Sequence, residues 1–223
     1  MSTPATIIVL SGGPSFHPVA DQWAVVADLL GDLAQVDCYD GAAAFDHLGD
    51  ADLFVAGGLA WTALGDEYQR PSDAQKQAFV DYVAGGRPVL AWHGGTGSFD
   101  DWPQFATLLG FRWNWERSGH SEYGDWHVDV EPTGHPVVAG VDGFDVVDEL
   151  YRDIEVTPGL ATEVHATARH EGRVLPMVVT AEGGRIDGAG RTVFLANGHD
   201  LAALEAEGFR TIVRNTVGWL LEQ

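Results

Sequence analysis

Three histidines stand just past short apolar runs, each beside glycine or in a glycine-rich loop. His93 begins His93-Gly94-Gly95 after the run at 88–92, and His199 sits in Asn197-Gly198-His199-Asp200 after the run at 191–196. His17 follows the run at 6–10 and its closing Ser11-Gly12-Gly13-Pro14. Glycine beside an imidazole lets the backbone bend where a Cβ would be crowded. Such an elbow lifts a side chain above a strand end and offers the N–H groups of the following turn. Imidazole titrates near neutral pH and is also a common metal ligand, so the chemistry indicated is proton transfer or metal ligation.

Acidic and aromatic partners are available. Asp148-Glu149-Leu150-Tyr151 places a carboxylate beside a phenol, a pair able to serve as general acid or base. His120 and His127 lie among Trp113, Trp115 and Trp126, rings that either stack on a sugar face or pack as core. His47, His165 and His170 have no distinguishing context and read as structural. A metal, if one is used, would be zinc, manganese or iron assembled from His17, His93, Glu149 and His199 across separate loops. No HxxxH pair exists, which excludes a zincin site, and no GxGxxG or GxxxxGK[ST] supports a nucleotide cofactor. The single cysteine, Cys38, excludes an intramolecular disulfide framework and a CxxC zinc knuckle.

The elements that must position these residues follow from periodicity. Continuous apolar runs at 6–10, 36–39, 53–56 and 88–92 predict buried strands. Helical spacing at 21–34, with Asp21 as N-cap, and at 73–84, with Ser72 as N-cap, separates them. A weak helical patch occupies 45–48. This alternation predicts a parallel sheet covered on both faces. After His93 a helix is expected at 102–109, then strands and long loops through 111–151, strands at 174–180 and 191–196, and a closing helical region at 201–205 and 209–221. No linker or repeat interrupts the chain, so residues 1–223 are expected to form one α/β domain.

The 33 acidic and 12 basic side chains leave a formal charge of −21, with Lys76 the only lysine. Duplex DNA, RNA backbone and anionic lipid all require a basic footprint, so these partners are excluded. Hydrophobic residues make up 45% of the chain, which supplies a core and rules out global disorder. No run approaches the roughly 18 apolar residues of a membrane span, and the N-terminus lacks a signal-like region, so a cytoplasmic protein is expected.

Three ordered motifs carry a resemblance. PVLAWHGG at 88–95 with WPQFATLLG at 102–110, HPVVAGV at 135–141 with DELY at 148–151, and RTVFLANGHD at 191–200 with NTVGWL at 215–220 resemble the ThuA-like (trehalose utilisation) family. The opening VLSGG at 9–13 with His17 also fits, so the resemblance runs from end to end. It implies the class I glutamine amidotransferase-like fold, a flavodoxin-type three-layer α/β/α architecture with a mostly parallel sheet. It also implies a role in carbohydrate catabolism, often beside sugar oxidoreductases that make 3-keto-glycosides. On that resemblance His93, His199, Glu149 and Tyr151 are the expected catalytic residues. His17, Gly94, Trp92, His120 and Asp200 are the expected substrate contacts. True amidotransferases carry cysteine at the elbow; this chain carries His93, and Cys38 falls on an early strand, so glutaminase chemistry is not expected. The chain departs from the family around 113–126, where the usual glycine pair becomes Gly110-Phe111.

Three functions remain open at this point. One is acid–base chemistry on an oxidised sugar, another metal-assisted hydrolysis, and the third a non-catalytic sugar-binding or scaffold domain. The partner expected is a small carbohydrate, with a homo-oligomer and a pathway link to a sugar oxidoreductase left open.

Overall fold

A computed structural model describes residues 4–222. The elements in chain order are β1 (Ala5–Ser11), α1 (Val19–Leu30), β2 (Ala34–Asp40), β3 (Leu53–Ala56), α2 (Asp73–Ala84), β4 (Val89–Trp92) and α3 (Pro103–Leu109). Then come β5 (Phe111–Arg112), β6 (Gly119–His120), β7 (Gly124–Val130), β8 (Gly143–Asp148), β9 (Tyr151–Arg152) and β10 (Glu155–Val156). The chain closes with β11 (Thr162–His170), β12 (Arg173–Glu182), β13 (Arg191–Leu195) and α4 (Glu207–Leu221). The nine-stranded sheet runs β2-β1-β3-β4-β13-β12-β11-β7-β8. Its first five strands are parallel, and the last four extend it antiparallel.

Burial on both faces explains the continuous apolar strands. Val9, Val55, Leu90 and Val193 form one row across β1, β3, β4 and β13, and all are fully buried. On one face Trp92 packs between Trp23 of α1 and Phe209 of α4, with ring centroids 5.4 and 5.6 Å away. On the other, Phe54 meets Phe79 of α2 and Phe45, and Phe79 meets Phe105 of α3. The three-layer α/β/α arrangement is therefore the observed one.

Local signals account for most boundaries. Ser72 caps α2 in a reciprocal capping box with Gln75, as its position predicts. Asp21 does not cap α1: the helix already begins at Val19 after Pro18, and Asp21 lies in its first turn. The helix also stops at Leu30 rather than 34, where Gly31 turns the chain at φ 57°. The patch at 45–48 belongs to a longer 3-10 segment, Gly41–Asp50. The strands expected within 111–151 are β5 to β8. Strand β11 has no counterpart in the periodicity, because Thr, Glu, Arg and His alternate through it. Among the described residues, no helix is long and apolar enough to cross a membrane.

Candidate functional site

Three parallel strands end at the same place. His93 directly follows β4, at φ 37°, and opens a tight 3-10 turn, His93–Gly97. A Cβ at Gly95 would lie 1.9 Å from the carbonyl oxygen of Ala56, and one at Gly94 would lie 2.7 Å from His17 Nδ1. Glycine is therefore required here so that β3 and the His17 ring can approach the backbone. After β13, Gly198 takes φ 114°, and a Cβ there would strike the Trp92 indole at 2.5 Å. The Trp92 indole N–H donates to Gly198 O at 3.1 Å, and Gln22 Nε2 donates to Gly198 O and Asp200 O, both at 2.8 Å. These bonds hold the His199 loop against α1. Asp200 accepts from the Ala202 N–H at 2.8 Å and caps the following 3-10 turn.

The antiparallel strands supply the carboxylates. Asp148, buried at the end of β8, accepts from the N–H of Gly198 at 2.7 Å, of Glu149 at 2.7 Å and of His199 at 3.3 Å. One side chain thus ties the end of β8 to the His199 loop. Burial pushes the Asp148 carboxyl up to about 7, against the opposing pull of its three amide donors. The short pairing of β6 with β9 places His120 opposite Tyr151. Between them Glu149 reaches inward, with Oε2 3.3 Å from His199 Nδ1 and Oε1 3.3 Å from His120 Nδ1.

The result is a compact cluster. Ring centroids are 4.8 Å apart for His17 and His199, 5.0 Å for His17 and His93, and 5.4 Å for His93 and His199. His17 Nε2 lies 3.1 Å from His199 Nδ1. One ligand atom from each of His17, His93, Glu149 and His199 falls within 4.8 Å of all the others. These four residues could hold a metal ion.

The cluster is electrostatically divided. Burial, reinforced by His199, pushes His17 down to about 4, and burial with His17 drives His93 well below the ordinary imidazole value. Burial also lowers His199, but its hydrogen bond to Glu149 and the nearby charge outweigh that effect and raise it. For Glu149 burial raises the carboxyl, and the His199 hydrogen bond with the neighbouring histidines more than reverses the effect. At neutral pH, Glu149 is therefore a carboxylate facing neutral His17 and His93.

The cluster meets a cleft of about 440 Å³. Its wall includes Trp61, Trp113 and Trp115, with Trp61 and Trp115 stacked at 5.5 Å and 18°. His17, Gly94, His120, Glu149, Tyr151 and His199 all line it. His93 does not, being 1% exposed beneath the Tyr151 ring at 4.0 Å. One expected substrate contact is corrected: Trp92 is fully buried, because its indole is wedged between α1 and α4. Asp200 is partly exposed beside His199 and accepts from the Tyr123 hydroxyl at 2.9 Å. Trp126 also leaves the cleft, packing on His170 at 5.2 Å, and His127 pairs with Asp145 at 2.7 Å. His165 and His47 are structural: His165 bonds Thr133 and Thr180, and His47 stacks on Tyr39. Phe16 and Trp61 were missed; both lie in loops that follow parallel strands, so the strand-end rule that located His93 would have reached them.

A three-layer α/β protein with a histidine at the elbow after a central parallel strand is the class defined by this geometry. The family model for ThuA, trehalose utilisation, matches residues 8–220, and the chain belongs to that family. A ThuA-like protein from Parabacteroides merdae ATCC 43184 superposes with TM-score 0.75 at 17% identity, covering 98% of this chain and 90% of that one. A second, from Bacteroides uniformis ATCC 8492, gives TM-score 0.71 at 17% identity, with 99% and 93% covered. A glutamine amidotransferase from Thermotoga maritima shares the fold at TM-score 0.56 and 10% identity, with both chains fully covered. No curated protein matches the sequence significantly.

Proposed function

We propose that this chain is an enzyme of carbohydrate breakdown that removes a proton beside the ketone of an oxidised sugar, a 3-keto-glycoside. The observation that carries this reading is Glu149, held between His199 and His120 at 3.3 Å each at the edge of a tryptophan-walled cleft. Sugars present an apolar ring face to aromatic side chains, which suits Trp113 and Trp115.

His120 is the group best presented as base. Its Nδ1 lies 2.7 Å from the Ser121 carbonyl oxygen, which can only accept, so that nitrogen carries the hydrogen and Nε2 holds the lone pair. The side chain is half exposed on the cleft wall, and Glu149 stabilises the imidazolium that forms. The ketone acidifies the neighbouring C–H, and His120 takes that proton. The electron pair left on carbon then expels the glycosidic oxygen, which takes a proton from the Tyr151 hydroxyl. Burial pushes that phenol well above its ordinary value, so it is protonated at neutral pH. A sugar oxidoreductase would supply the ketone.

His120→Gln should lower kcat on a 3-keto-glycoside by about 100-fold. It should also slow exchange of the C–H beside the ketone with deuterated solvent. A loss under about tenfold, with exchange unchanged, overturns the role of His120. Saturable sugar binding with no turnover would instead support a binding domain.

A further inference from the structure

We infer that His17, His93, His199 and Glu149 form a binding site for one first-row divalent transition metal of the zinc type. The inference goes beyond the carbohydrate reading and does not depend on it.

His93 carries the argument. Its Nδ1 is 2.6 Å from the Ala196 carbonyl oxygen, which cannot donate, so the hydrogen is on Nδ1 and Nε2 bears a bare lone pair. That Nε2 is buried and has no hydrogen-bond partner. A buried lone pair left without a donor is unfavourable, and a metal ion would satisfy it. An imidazole whose Nδ1–H is fixed by a backbone carbonyl, with Nε2 free, is the arrangement that orients a metal-ligating histidine.

Spacing and donor type agree. Metal–nitrogen bonds of about 2.0–2.1 Å in tetrahedral geometry put neighbouring ligand atoms roughly 3.4 Å apart. The contacts of His199 Nδ1 with His17 Nε2 and Glu149 Oε2 are 3.1 and 3.3 Å, and one donor atom from each of the four residues lies within 4.8 Å of the others, so a bound ion would draw the set inward. Three imidazoles and one carboxylate suit zinc and its first-row neighbours, whereas calcium and magnesium prefer all-oxygen sites. The ligands are also braced from behind: Ala196 O holds His93, and Asp148 holds the backbone of both Glu149 and His199. Glu149 would then face the metal with Oε2 and His120 with Oε1, so one carboxylate serves both the metal and the cleft.

The test uses the full chain without a histidine tag, stripped with chelator and titrated with cobalt(II), then zinc. One equivalent of cobalt with visible ligand-field bands, displaced by one equivalent of zinc, is the expected result. His93→Gln and His199→Ala should each weaken binding by roughly 100-fold, and Asp148→Asn by about tenfold through the bracing. His127→Ala, a surface histidine, should bind as the unaltered chain does. Folding of each variant is checked by circular dichroism, and His199→Ala, at the cleft surface, covers the case in which His93→Gln does not fold. Binding well below one equivalent, or equal binding by all variants, overturns the site.

Discussion

The parallel and antiparallel halves of the sheet build the site under different constraints. β1, β4 and β13 deliver His17, His93 and His199 on backbone with no spare room, where Gly94, Gly95 and Gly198 are hemmed in by His17, Ala56 and Trp92. β7 and β8, with the β6–β9 ladder, deliver Glu149, His120 and Tyr151 from a looser region, and Gly124 and Gly140 there face open space. The crowded half leaves the backbone beside His93 and His199 little room to shift. The open half holds the Glu149 carboxylate and the half-exposed His120 imidazole on the cleft wall. Asp148 ties the two halves by side chain, beside the β12–β13 ladder that joins them in the sheet.

The sharpest way to break this contrast is a pair of matched substitutions. Gly95→Ala places a methyl 1.9 Å from a backbone oxygen that cannot move without shifting β3, and should cost about 3 kcal/mol or more in urea unfolding. Gly124→Ala meets nothing within 4 Å and should stay within about 0.5 kcal/mol. Equal effects would erase the distinction. Next in size is Asp148→Asn, which removes an acceptor from a carboxyl serving three amides. A loss of about 1–3 kcal/mol is expected. Faster hydrogen exchange at the Gly198 and His199 amides should accompany it. Unchanged exchange there would mean that Asp148 does not hold the His199 loop.

The smallest effect concerns pH in the antiparallel half. His165 is buried on β11 between Thr133 and Thr180, and burial pushes it down to about 4 from 6.5. Between those values the unfolded chain binds more protons than the folded one, so stability falls as pH drops from 6.5 toward 4. His165→Gln removes this titration. The stability difference between the two chains should therefore shrink in the variant's favour from pH 7 to 4.5. A constant difference would mean that His165 is not held neutral.

Particular residues show how far the sequence could be read. β3 and α2 were legible residue for residue, because an unbroken apolar run and a Ser-x-x-Gln capping box are local signals. His17, His93 and His199 were legible because glycine beside a strand end reports local crowding. β11 was not, since its polar alternation becomes a strand only when β7 and β12 pair with it. Trp92 was misjudged as a ligand contact for a similar reason: adjacency to the elbow does not say which face of the sheet its indole takes.

The sequence by itself determined the α/β fold, the family and the residue types at the elbow, since periodicity, caps and glycines act over a few residues. Tertiary structure alone decided that Glu149 stands between His120 and His199, and that His93 lies beneath the cleft rather than in it. It decided as well that the His93 lone pair is buried without a partner. Those facts depend on which strands become neighbours across tens of residues of chain, and on how much water their packing excludes.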